Sequence, residues 1–245
     1  MLAKLKRSLS LLPGWKTSRK LLVIQSDDWF SIRTSSAAAL AHLKSLGADV
    51  DRCHYMRCDH FEREEDLSGV FDTLSSVLDS RGRPACLTAN CLSANPHFRK
   101  IAESGFAEYH YEPAPQTASR VGGAANSLKL WQEAISSGVC EPQSHGREHL
   151  NVGRWLSALQ SGTDEITRAA FDHEMFGVSA HVVPTPRGSF MAAFDTPLES
   201  EQTSPEPVVS EALRGFQSMF GFPSRSFIAP NYVWSDDVEK DLADN

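Results

Sequence analysis

Short apolar runs alternate with stretches of helical periodicity along this chain of 245 residues, and that alternation limits the fold more than any other feature. Leu21-Leu22-Val23-Ile24 is a continuous apolar run of the kind expected for a strand buried on both faces. Residues 36–46 have helix-forming composition and stop at Gly47. Residues 64–78 place Leu67, Val70, Phe71, Leu74 and Leu78 at the three-and-four spacing of one helix face. The pattern then recurs, with strands expected over 84–88, 106–109, 139–144, 176–180 and 226–229. Helices are expected over 97–104, 123–137, 152–160, 164–173 and 207–220, a polar turn over 90–95, and a long surface loop over the Pro-, Ser- and Thr-rich residues 184–207. Such alternation predicts an α/β domain with a mainly parallel sheet, a fold in which ligands gather at the carboxyl ends of the strands.

Three polar clusters fall at such ends: Asp27-Asp28, residues 145–149, and Pro230-Asn231. Two adjacent carboxylates after a buried strand crowd like charges in a partly desolvated place, which a divalent cation relieves. The bland alternative is a capping pair for the next helix, where aspartate is favoured. In His145-Gly146-Arg147-Glu148-His149 the two histidines stand at i and i+4, so on a helical turn both imidazoles reach one ion. The same segment also reads His-x-x-Glu-His, the inverted zinc-protease signature, in which Glu148 would be the general base. That motif belongs inside a helix, whereas here it follows a strand-and-turn stretch and contains Gly146, and it leaves Asp27-Asp28 without a role. Isolated histidines such as His42, His97 and His173 carry no comparable signal.

Composition narrows the partners. With 24 basic against 31 acidic residues the net charge is −7, which argues against nucleic acid, whose binders present a basic face. Five cysteines, Cys53, Cys58, Cys86, Cys91 and Cys140, form no CxxC pair, and reduced thiols in a cytoplasmic protein are the expectation. Cys53-His54 and Cys58-Asp59-His60 hold zinc-ligand types at spacing no common structural zinc site uses, so polar loop residues are the reading there. No apolar run approaches the ~20 residues of a transmembrane helix. Residues 1–19 read as an amphipathic segment, helical to about Pro13-Gly14, ahead of one domain over 20–245.

Taken together, these residues resemble the polysaccharide deacetylase (NodB-homology) family of carbohydrate esterases. Val23-Ile24-Gln25-Ser26-Asp27-Asp28-Trp29 is similar to that family's Asp-Asp motif, His145 to His149 to its His-x-x-x-His motif, and Phe227-Ile228-Ala229-Pro230-Asn231-Tyr232 to its Arg-Pro-Pro-Tyr-type segment. The resemblance implies a distorted (β/α) barrel of about seven strands. It implies Asp28, His145 and His149 as ligands of a divalent metal, zinc first, with Asp27 as general base and Trp29, Pro230 and Asn231 at the substrate. Metal-bound water would then attack the acetyl group of an N- or O-acetylated carbohydrate, and the backbone N–H of Asn231 would help hold the oxyanion. The chain departs from the pattern at Trp29, where the family has glycine, and at Ile228, where it has the arginine that orients the base; Arg33 or Arg147 is the expected replacement. No counterpart of the family's late histidine acid is present before Asn245, which implies a shortened or divergent member. A catalytically silent carbohydrate-binding barrel is the rival from another class.

Overall fold

A computed structural model describes residues 14, 16–184, 187–195 and 206–244. Its strands are Ile24–Trp29 (β1), Leu87–Cys91 (β2), Ala94–Pro96 (β3), Tyr111–Pro113 (β4) and Cys140–Ser144 (β5). β1, β2 and β5 form a parallel sheet in the order β1-β2-β5, while β3 and β4 pair antiparallel on their own. Parallel neighbours need long crossovers, usually helical. Between β1 and β2 run Ala37–Ser45 (α1), His54–Cys58 (α2) and Glu64–Ser76 (α3). Ahead of β5 come Phe98–Glu103 (α4), Ala114–Arg120 (α5) and Ser127–Ser136 (α6). Val152–Ser161 (α7), Glu165–Asp172 (α8), Glu206–Phe220 (α9) and Asp236–Asp244 (α10) follow, with single 3-10 turns at Val50–Arg52, Ala180–Val182 and Pro230–Tyr232.

Local chemistry sets the helix ends. The Ser36 hydroxyl accepts the Ala39 amide at 3.1 Å to start α1, and Asp164 accepts the Thr167 amide at 2.9 Å to start α8. Both use a side-chain oxygen to satisfy an amide that the first turn leaves unpaired. The main core closes around Trp131 of α6, with the rings of Trp29, Phe30 and Phe71 at 5.2–5.3 Å from it. A second cluster joins Leu43 of α1, Met56 of α2 and Ala170 of α8 to Val182 on the 3-10 turn Ala180–Val182. A third, of Phe194, Val209, Ala229 and Val238, backs the turn Pro230–Tyr232.

The expected seven-strand barrel is overturned: the described residues contain three parallel and two antiparallel strands and close no barrel. The run at 106–109 supplies no strand because Gly105 and Phe106, at φ 64° and 65°, end α4 in a left-handed turn, and pairing waits until Tyr111. Phe176 and Val178 are buried as an apolar run requires, yet no ladder forms over 176–180. At 226–229 only Phe227 makes a bridge, parallel to Ser144. Leu21, Leu22 and Val23 are 53%, 87% and 74% exposed, so the first strand starts at Ile24 and carries the aspartates within it. The strand expected over 84–88 begins only at Leu87, and the expected polar turn over 90–95 holds the end of β2 and the start of β3. A short apolar run fixes neither burial, as Leu21 to Val23 show, nor a ladder, which is a tertiary outcome. The helical expectations at 36–46, 64–78, 97–104, 123–137, 152–160, 164–173 and 207–220 correspond to α1, α3, α4, α6, α7, α8 and α9. The amphipathic helix expected up to Pro13 lies outside the described residues, as does much of the loop expected over 184–207. No described helix is long and apolar enough to cross a membrane.

Candidate metal centre

The aspartate pair sits on a defect in the sheet. β1 and β2 pair from Ile24↔Leu87 to Ser26↔Ala89, lose register across Asp27 and Asp28, and meet again at Trp29↔Cys91. Such an irregularity re-aims side chains. Asp28 takes φ 68° and Phe30 φ 65°, left-handed values that non-glycine residues adopt at a cost. Buried side chains take up the backbone groups of this turn. Glu62 Oε2 accepts the Phe30 amide at 3.0 Å, and Asn95 accepts the Ile32 amide at 2.8 Å while donating to the Phe30 carbonyl at 2.9 Å.

The histidines converge by a different route from the helical turn expected for them. Residues 145–151 form an irregular loop between β5 and α7. Gly146 bends it at φ 109°, and a Cβ there would stand 3.4 Å from the Phe194 ring and 3.6 Å from Pro230. A left-handed, crowded position of this kind calls for glycine. His145 and His149 are 2% and 4% exposed, with Nε2 atoms 3.1 Å and 3.4 Å from the same oxygen of Asp28, Oδ1. One ligand atom from each of Asp28, His145 and His149 lies within 4.8 Å of the other two, so this group could hold a metal ion.

Protonation agrees with that geometry. His145 Nδ1 is 2.8 Å from the Ile228 carbonyl, which only accepts, so Nδ1 carries the proton and a neutral ring turns its Nε2 lone pair toward the carboxylate. Two acceptors face to face need a cation between them, a proton or a metal. Burial pushes His149 down to about 4 against the opposing charge of Asp28, keeping it in the neutral form that binds metals. Its Nδ1 is buried with no hydrogen-bond partner among the described residues. Burial alone would raise the Asp28 carboxyl, but a proton between it and His145, together with the charges of Arg33 and of His149 when protonated, outweighs it and brings it down to about 2. Two imidazoles and an ionised carboxylate suit a divalent transition ion. Arg33 holds the other oxygen of Asp28 at 2.9 Å and reaches Asp59 at 3.4 Å.

Asp27 stands outside this group. Its Oδ1 accepts from Asn90 Nδ2 at 2.6 Å and its Oδ2 from the Tyr232 hydroxyl at 2.9 Å. Neither Arg33 nor Arg147 takes the orienting part expected of them. Arg33 serves Asp28, and Arg147 is locked to Glu148, at 2.5 Å and 2.7 Å, and to Glu211. Sequence reasoning places Asn90 in a polar turn and gives Tyr232 no role, whereas Asn90 is a fully buried polar side chain within β2. Asn231 and Tyr232, at φ 58° and 57°, add a further strained turn beside the aspartates.

Asp27, Asp28, His145 and His149 open on a cleft of about 600 Å³, lined also by Arg33, Cys53, Tyr55, Ser179, His181, Asn231 and Tyr232. Trp29 lines a smaller cleft of about 160 Å³ that Asp27 and Asp28 also line, its ring edge-on to Trp131. Pro230 is buried behind Gly146 and does not line the cleft. All five cysteines are free, and no metal-ligand group forms around Cys53 to His60 among the described residues. No protein-family description, curated protein or solved structure matches the chain.

Proposed function

We propose that this protein is a metal-dependent hydrolase of the polysaccharide deacetylase type, which removes acetyl groups from an N- or O-acetylated carbohydrate. One observation carries the reading: Asp28, His145 and His149, from distant parts of the chain, meet at one point in a cleft, with a second carboxylate, Asp27, beside them. Asp28, His145 and His149 would hold the ion, for which zinc is our first assignment from the donor set. Such an ion supplies Lewis acidity, acidifying water and drawing electron density from an acyl carbonyl.

The remaining steps belong to the chain. Asp27 takes the proton of the attacking water, and the Asn90 amide and Tyr232 hydroxyl fix the plane of its carboxylate. Both are neutral donors, so they orient Asp27 without tying it into an ion pair. The departing amine or alcohol needs a proton, and we assign that to His181, an imidazole lining the same cleft from the 3-10 turn Ala180–Val182. The protease alternative has little room, because both oxygens of Glu148 are occupied by Arg147. Acetate release from acetylated oligosaccharides, measured with and without chelator, tests the proposal. Metal uptake with no acetate released from any acetylated glycan would favour a silent binding protein, and a protein that takes up no metal would end the proposal.

A further inference from the structure

We infer that Glu62 is a positioning residue for the metal centre, its buried carboxyl holding the left-handed turn through which β1 delivers Asp28. The inference rests on the reading of Asp28 as a ligand. Glu62 comes from the segment between α2 and α3, is 6% exposed, and accepts the Phe30 amide at 3.0 Å across a sequence separation of 32. Phe30 is wholly buried, packed 5.3 Å from Trp131 and 6.1 Å from Phe61. Its amide follows the last residue of β1, so neither water nor the sheet ladder serves it. A buried amide without an acceptor is costly enough that the backbone would turn to find one.

That turning would move Asp28, two residues earlier and already at φ 68°. Asn95 grips the same turn from the other side, through the Phe30 carbonyl and the Ile32 amide. Held from both sides, the strained conformation keeps the Phe30 amide, the Phe30 carbonyl and the Ile32 amide satisfied. Packing alone is a poor account of Glu62. Glu62 lines the small cleft that Asp27, Asp28 and Asp59 also line, and burying a further carboxyl there is unfavourable. Desolvation pushes its pKa up to about 7, and a protonated carboxyl still offers an oxygen to the Phe30 amide. The clamp therefore needs an acceptor at that point, not a charge.

Cobalt(II) titration of the whole chain, followed by visible absorption, separates these requirements. Glu62→Gln keeps the acceptor and is expected to bind cobalt as the wild type does. Glu62→Met keeps the volume without the acceptor and is expected to bind about 10- to 100-fold more weakly, the usual effect of losing a group that orients a ligand. The metal-free Glu62→Met protein should keep the wild-type circular dichroism. Wild-type affinity in Glu62→Met overturns the inference, as does equal weakening in Glu62→Gln. Should Glu62→Met not fold, Glu62→Asp, a methylene short of the Phe30 amide, must show the loss, and wild-type affinity there overturns it equally. A wild type that takes up no cobalt ends the metal reading and the inference together, whereas normal wild-type binding with unaffected variants ends the inference alone.

Discussion

Glu62→Gln should make the metal-free protein more stable, and by an amount that depends on pH. Glu62 ionises near 4.5 in an unfolded chain, but desolvation raises it to about 7 in the fold. Between those values the folded state holds a proton that the unfolded state has released. Stability therefore falls as pH rises through that window, and the loss is complete above about pH 7. The window spans about 2.5 pH units at about 1.4 kcal/mol each, so ionising this carboxyl costs the fold about 3.5 kcal/mol at most. Glutamine accepts the same Phe30 amide and does not titrate. The stability difference between Glu62→Gln and wild type should thus be constant below about pH 4.5, grow with pH, and level off above about pH 7. For a chain of this size that gain corresponds to about 7–14 °C in Tm. Urea unfolding of both proteins in chelator at several pH values between about 4 and 8 measures it. Taking the difference cancels every titrating group the two proteins share. A difference that does not change with pH would refute the reasoning, because Glu62 would then titrate alike in both states.

Other outcomes follow from the site and the core. Asp28→Ala and His149→Ala should each abolish stoichiometric metal uptake by equilibrium dialysis, and full uptake in both would remove the assignment of these ligands. Asp27→Asn should keep metal uptake while lowering kcat by about 100- to 10,000-fold, the range for loss of a general base. Tyr232→Phe removes one of the two hydrogen bonds to Asp27 and should lower kcat by about tenfold with little change in KM or stability, since Tyr232 is 68% exposed. Arg147→Ala strands Glu148 at 1% exposure and should destabilise the fold by about 3–5 kcal/mol in chemical denaturation, whereas Glu148→Gln should leave acetate release in place.

The site was more legible in the sequence than the architecture around it. Asp28, His145 and His149 could be chosen because residue type, spacing and position after apolar runs are local properties. Their convergence held although the reason given for it, a helical turn, did not: a glycine bend at Gly146 does the work. The barrel failed because strand number depends on which buried runs find a ladder partner, and 176–180 and 226–229 carry apolar side chains whether or not they pair. Asn90 and Glu62 were hidden for a related reason. Each acts on a residue far away in sequence, Asp27 and Phe30, and a polar side chain in a buried segment does not announce its partner. The helices were easier, since their periodicity is written over ten or more residues.

Asp28 arrives from one outer strand of the parallel sheet and the histidines from the loop after the other, separated by 117 positions between residues 28 and 145 and, in space, by β2. A one-residue slip of β2 against either neighbour would carry its side chains to the opposite face and draw Asn90 away from Asp27. Ion capture would thereby be a late event in the life of the polypeptide: a chain still searching for its register has scattered donors, and only the finished three-strand assembly presents them together. Uptake kinetics during refolding would accordingly time the completion of the sheet.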